Sequence, residues 1–167
     1  SAQGRGVQDH YNSLKDTHRK IDSGSDILNL KNLNNWTKSV LIGKYTKRND
    51  VVLDFACGKG GDLPKFKNAQ ISHWIGMDIA DASIDDARAR LGGGAGGNAR
   101  HSFNFTHETY AADFSEPDIV RQLIGSKPVD IVSCQFAFHY CFESEYKARS
   151  CLKNIAGNLK PGGHFIA

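Results

Sequence analysis

Val51-Val52-Leu53-Asp54-Phe55-Ala56-Cys57-Gly58-Lys59-Gly60-Gly61-Asp62-Leu63 is the stretch that decides the fold. Its first five residues form a short apolar run with the length and β-branched content of a buried strand. The run breaks at a glycine-rich turn, and the segment beyond it opens with an acid and a leucine, as a helix start does. Glycines at such a strand-to-helix turn let the backbone approach a ligand and leave helix N-terminal amides unobstructed.

Outward from this unit the pattern repeats. Apolar runs recur at residues 73–79, 103–112, 129–138 and 163–167, and helix-like intervals occupy 63–69, 82–91 and 143–159. Strands that alternate with helices and short loops imply a parallel sheet, because parallel neighbours need a crossover connection. The expected fold class is α/β, a Rossmann-like, mostly parallel sheet with helices on both faces. Pro161-Gly162-Gly163 leads into Phe165-Ile166-Ala167, inside the expected fifth strand. A complete fold of this kind continues with another helix and further strands, so the chain reads as a core whose final strands are missing.

Upstream, residues 1–26 are polar, with Ser23-Gly24-Ser25-Asp26 reading as a loop or a cap. Leu30, Leu33, Trp36, Val40 and Leu41 then recur at helical spacing and predict an amphipathic helix ending near Tyr45 or Thr46. Residues 1–49 hold nine Lys and Arg against four Asp, whereas residues 50–167 hold twelve against fourteen acids. Two parts are therefore expected: a basic N-terminal helical segment, 1–49, packing on the core, and a Rossmann-like core, 50–167. The basic surplus fits a partner carrying phosphates, and it fits a solvated arm equally well.

The 167 residues, 40% of them hydrophobic, suffice for one domain with an ordinary core. Cys57, Cys134, Cys141 and Cys151 form no CxxC pair, so free thiols in a reducing compartment are expected. No apolar stretch approaches the roughly 20 residues that span a bilayer, and the polar start does not read as a signal peptide. A soluble intracellular protein with no membrane partner is expected. Residues 92–97, Gly-Gly-Gly-Ala-Gly-Gly, read as a surface loop, since they neither follow a strand nor open a helix.

The ends of successive strands supply candidate ligand groups, as the carboxyl edge of such a sheet does. The turn departs from the GxGxxG pattern of dinucleotide folds, because Gly58-Lys59-Gly60-Gly61 lacks its third glycine. Asp54 is placed to receive an ammonium group or an ordered water. Asp78, twenty residues after Gly58, is placed for ribose hydroxyls or for capping the helix that follows. Asp113, beside Phe114, suits an adenine amino group, and Gln135, His139 and Tyr140 lie at the fourth strand end. The cofactor expected is S-adenosylmethionine, bound in the manner of a class I methyltransferase.

Leu33-Asn34-Asn35-Trp36-Thr37-Lys38-Ser39-Val40-Leu41-Ile42, residues 54–63, Met77-Asp78-Ile79-Ala80-Asp81, Ser133-Cys134-Gln135-Phe136 and Pro161-Gly162-Gly163 together resemble the eukaryotic mRNA cap guanine-N7 methyltransferases. The resemblance runs from about Gln8 to Ala167. It implies donor contacts at Lys38, Ala56, Asp78, Asp113, Gln135 and Tyr140, beside Asp54 and Gly58 of the turn. Cap contacts are implied at Asn34, Asn35, Lys59, Lys65, Arg90 and His139. Asn34 and Lys38 are four apart, on one helical face, so one helix can touch both ligands. Implied partners are the capped 5′ end of mRNA and transcription or capping machinery, in the nucleus. Where this chain has Ala56 the family usually has glycine, a difference that costs on the order of 1 kcal/mol if φ there is positive.

Guanine N7 has a lone pair and no proton to lose, so no catalytic acid or base and no metal are expected, only in-line placement. A methyltransferase for a small molecule or another RNA position, and a cofactor-binding module without turnover, remain the competing expectations. The chain by itself is expected to be weak or inactive. A nicotinamide dehydrogenase would require the glycine that the turn lacks.

Overall fold

The computed structural model describes residues 26–92 and 103–167. Residues 23–25 and 93–97, expected as loop, lie outside these. Helix α1 (Asp26–Tyr45) precedes strand β1 (Val51–Phe55), and then come α2 (Leu63–Asn68), β2 (His73–Asp78), α3 (Asp81–Arg90) and β3 (Thr106–Ala111). Helix α4 (Ile119–Ile124), β4 (Val129–Ser133), a 3-10 helix (Phe138–Glu143), α5 (Glu145–Asn158) and β5 (Leu159–Ile166) complete the order. The five strands form one parallel sheet in the order β3-β2-β1-β4-β5.

Strand order follows burial. β1, β2 and β4 are almost wholly buried, as strands covered on both faces must be, whereas β3 is half-exposed at an edge. Alternate side chains feed two cores. Leu53, Phe55, Ile75, Met77 and Val132 join Phe114, Val120 and Cys151 on one face. Val52, Trp74 and Ile131 join Ile42, Leu63 and Phe66 on the other. Among the described residues no helix is long and apolar enough to cross a membrane.

The structure corrects several sequence expectations. β3 begins at Thr106 rather than 103, and β5 begins at Leu159, ahead of 163, with a register shift opposite Val129 and Ile131. β4 ends at Ser133 instead of 138, and beyond it the chain turns, with Phe136 left-handed at φ +58°. Helix α4 was not among the intervals read as helical from the sequence.

The largest correction concerns α1. Its bounds agree with the expectation, but of the five residues that suggested an inward face only Leu41 is half-buried, while Leu30, Leu33, Trp36 and Val40 are 57%, 56%, 63% and 44% exposed. The helix packs instead through Ile42, fully buried with Leu63 and Phe66, and through Tyr45, whose ring lies 5.2 Å from that of His164. Helical spacing was real, but four of its five apolar positions lie away from the side that packs.

At the centre of the sheet Gly76 makes room for the Trp74 ring, which folds along its own strand; a Cβ at Gly76 would stand 2.1 Å from the indole. Trp74 is fully buried and has no space to retreat. Gly76→Ala is therefore expected to destabilise the protein by about 1–3 kcal/mol. An unchanged denaturation midpoint would contradict this.

Candidate functional site

The turn after β1 is built from left-handed residues: Ala56 has φ +50°, Gly58 +54° and Gly60 +70°. The Cys57 amide donates to the Met77 carbonyl at 3.1 Å, which ties the turn to the neighbouring strand. Asp78 then accepts the Gly58 amide at 2.8 Å through Oδ2 and the Ala80 amide at 2.9 Å through Oδ1. A Cβ on Gly60 would meet Leu63 Cδ1 at 2.6 Å. Gly60 thus allows the close approach of turn to helix for which the sequence pattern seemed to lack a glycine.

Over the carboxyl ends of β1, β2 and β4 and the chain beyond β3 opens a cavity of about 420 Å³, within the range of small-ligand sites. Six of the expected donor residues line it: Ala56, Gly58, Asp78, Asp113, Gln135 and Tyr140. Asp78 is 9% exposed, and burial raises its carboxyl above the usual range while the two amides oppose the rise. Asp113 Oδ1 accepts from the Ser115 amide at 2.8 Å and hydroxyl at 2.6 Å. Phe114 stacks on Phe55 with ring centroids 5.1 Å apart, forming an apolar wall. Gln135 Nε2 donates to the Ile166 carbonyl at 3.3 Å, so β5 fixes that amide.

Asp54 and Lys38 do not line this cavity. Asp54 is 3% exposed and accepts a hydrogen bond from Trp74 Nε1 at 3.3 Å and another from the Ser133 hydroxyl. Burial pushes its carboxyl up to about 8, the nearby Asp62 charge adds to the rise, and the two hydrogen bonds and Lys38 oppose it. Asp54, expected to receive an ammonium group or an ordered water, is a buried acid that bridges β1, β2 and β4 outside the cavity lining.

The expected cap residues lie outside the cavity lining. Asn35 and Lys65 meet, with Lys65 Nζ donating to Asn35 Oδ1 at 2.7 Å. Lys65 and Lys38 both pair with Asp62, at 2.8 and 2.9 Å. Lys59 pairs with Asp86 at 2.9 Å on the exposed side of the turn, and Arg90 Nη1 donates to the Gly60 carbonyl at 3.2 Å. The His139 ring lies 4.1 Å from that of Tyr140, and Asn34 is half-buried on α1.

Sequence reasoning missed Ser115, Glu143 and Lys147 in the cavity wall. Phe136 is half-exposed at the mouth, near Tyr140 and Phe142 in sequence, and its positive φ had no signature in the pattern. Glu143 and Lys147 pair at 2.6 Å across the start of α5, a spacing of four that the sequence does show. Nothing in that spacing says that the start of α5 reaches the cavity.

With the geometry in view, comparison with known proteins places it. Residues 1–167 match the model of the mRNA (guanine-N(7))-methyltransferase domain. The chain is 44% identical to mRNA cap guanine-N(7) methyltransferase 1 of Arabidopsis thaliana, over 97% of this chain and 44% of that protein. It is 41% identical to mRNA cap guanine-N(7) methyltransferase of Saccharomyces cerevisiae, over 96% and 36%. The chain thus spans about two fifths of these relatives' length. In fold it is similar to a SAM-dependent methyltransferase from Thiobacillus denitrificans solved with S-adenosyl-L-homocysteine, with TM-score 0.54, 18% identity, and coverage of 94% of this chain and 54% of that one.

Two outcomes follow from the turn. Ala56 is strained at φ +50°, so Ala56→Gly is expected to stabilise the protein by roughly 1 kcal/mol in denaturant titration; a loss of stability would show that the strain is absent. For Asp54 the folded value lies above the unfolded one, so stability is full in acid. It declines from about pH 4 to about 8 as the unfolded chain ionises first, by at most about 1.4 kcal/mol per unit. Asp54→Asn removes that decline: its midpoint should gain on wild type between pH 5 and pH 8, and parallel curves would refute the assignment.

Proposed function

Because the chain belongs to the mRNA (guanine-N(7))-methyltransferase family, we propose that its protein transfers a methyl group from S-adenosylmethionine to N7 of the guanine cap of mRNA. The observation that carries this is the convergence of Gly58, Asp78, Asp113, Gln135 and Tyr140 on one cavity, with a cluster from α1 and α2 beside the same turn. The cavity fits the donor by its chemistry: two carboxylates near an apolar wall suit a nucleoside, and the left-handed turn brings backbone close to it.

S-adenosylmethionine, when bound, supplies an electrophilic methyl group on a sulfonium. Asp78 and Asp113 hold the nucleoside end, and Ala56, Gly58, Gln135 and Tyr140 shape the rest, with Lys38 for the donor carboxylate. Asp54, buried beside Trp74, fixes the floor under the turn. Asn34, Asn35, Lys59, Lys65, Arg90 and His139 take the cap, its triphosphate against the cations. Guanine N7 carries no proton, so no side chain need act as a base, and the work of these residues is alignment, worth as much as 7–11 kcal/mol by effective-molarity reasoning.

In this scheme residues 1–49 are a basic helical segment that packs on a Rossmann-like core, 50–167, and both parts contribute to the donor and cap sites. Capped transcripts arise in the nucleus, which is the proposed site of action, with capping or transcription machinery as partners. The test is methyl transfer from S-adenosylmethionine to RNA with a guanosine cap, using the whole protein, against RNA lacking the cap. Transfer only to capped RNA, competed by a cap analogue, is expected; transfer to uncapped RNA or a small acceptor instead would overturn the cap assignment. Asp78→Asn should weaken S-adenosylhomocysteine binding in calorimetry at least about tenfold, since a carboxylate acceptor for ribose hydroxyls is lost. Unaltered affinity would remove Asp78 from the donor site.

A further inference from the structure

Asp62 stands at the start of α2, where an aspartate ordinarily caps helix amides, yet its side chain makes no capping hydrogen bond. It is turned to two lysines from different elements. Lys38 of α1 approaches Oδ1 at 2.9 Å and Oδ2 at 3.0 Å, and Lys65 of α2 donates to Oδ1 at 2.8 Å. Lys65 continues to Asn35 Oδ1 at 2.7 Å. The three charged side chains are only 23%, 13% and 14% exposed for Lys38, Asp62 and Lys65. Among the described residues this chain, Asn35-Lys65-Asp62-Lys38, ties α1 to the glycine turn by side-chain hydrogen bonds.

An ammonium has three N–H donors. Lys38 commits two at most to the two oxygens of Asp62, and Lys65 commits one to Asp62 and one to Asn35. Each lysine therefore keeps a donor for a ligand, and one carboxylate aims both. Two cations facing one anion also leave the cluster a surplus positive charge, suited to anionic groups of a ligand. The anchoring of Lys65 on Asn35 Oδ1 further leaves the Asn35 amide N–H groups facing away from that contact, as donors.

We propose that Asp62 is a positioning residue that couples donor and cap binding, by holding Lys38 on the donor side and Lys65 with Asn35 on the cap side in one shared arrangement. The proposal rests on the assignments of Lys38, Lys65 and Asn35 made under the proposed function. A ligand that takes the remaining donor of either lysine restrains the shared carboxylate and the other lysine further, so the second ligand meets side chains with less freedom left to lose. The residual rotamer freedom of the paired lysines that the first ligand removes is not lost again when the second binds. The coupling is positive and, being an equilibrium property, reciprocal.

Calorimetry on the whole protein tests this, with S-adenosylhomocysteine and the unmethylated cap dinucleotide GpppA, each titrated alone and with the other saturating. Wild type is expected to bind each ligand at least about fivefold tighter when the other is present, with the same factor in both directions. In Asp62→Asn, which keeps the shape and loses the charge, that factor should fall to about one. A merely structural role would lower both affinities and the melting temperature but leave the factor intact, and that result overturns the proposal. Should Asp62→Asn fail to melt cooperatively, Lys38→Met replaces it: GpppA affinity should then no longer respond to saturating S-adenosylhomocysteine, and a retained response overturns the proposal. Wild-type binding of both ligands without coupling also overturns it and leaves the cap reading standing. Failure of wild type to bind GpppA at all removes the cap reading and this proposal together.

Discussion

The ligand edge of this protein hangs on one carboxylate. Asp78 closes β2 by accepting the Gly58 amide from the first turn and the Ala80 amide from the start of its own helix, at 2.8 and 2.9 Å. With the Met77 carbonyl holding Cys57, this pins the left-handed turn to the neighbouring strand end. Hydrogen bonds from two amides to one carboxylate are charge-assisted and strong. Without them Ala56 would have little reason to persist at a φ that costs a non-glycine residue on the order of 1 kcal/mol. Asp78 also lines the cavity, so the group that shapes the turn faces the ligand space as well.

Under that edge a second layer of polar contacts joins elements that the sheet alone would leave independent. Asp54 of β1 binds Trp74 of β2 and Ser133 of β4 inside an otherwise apolar interior, and its two hydrogen-bond donors offset only part of the burial that keeps it protonated to about pH 8. Trp74 reaches that carboxyl across Gly76, the residue facing Asp54 in the register, where any larger side chain would collide with the indole. A little farther out, Asp62 gathers Lys38 and Lys65. Three aspartates within one strand-turn-strand unit therefore do different work. Asp78 shapes the turn, Asp54 fixes the sheet beneath it, and Asp62 ties on α1.

Much of this was legible before the structure. Five apolar runs and a glycine turn predicted the parallel α/β sheet, and the acids at strand ends predicted which groups line the cavity, because the carboxyl edge of a parallel sheet collects whatever its strands end in. Periodicity failed on α1, since Leu30, Leu33, Trp36 and Val40 give a helical period whichever side faces inward. Only Ile42 and Tyr45, packed against α2 and β5, show which side that is. The reach of β4 was misjudged for a similar reason: an aromatic-rich run looks like continued strand, yet beyond Ser133 the chain turns, with Phe136 left-handed.

The sequence by itself determined the five strands and most of the helices, their order and the residue types at the strand ends, because those depend on spacing and on neighbours a few positions away. Tertiary structure alone decided that Asp54 is buried rather than ligand-facing, that Lys147 reaches the cavity, and that Asn35, Lys38, Asp62 and Lys65 form one cluster. Asp54 and Trp74 are 20 positions apart, Lys38 and Asp62 24, and Asn35 and Lys65 30. The first depends on how β1 and β2 pair in the sheet, and the other two on how α1 is set against the glycine turn and α2. Both are set by the sum of many packing contacts, which no local pattern encodes.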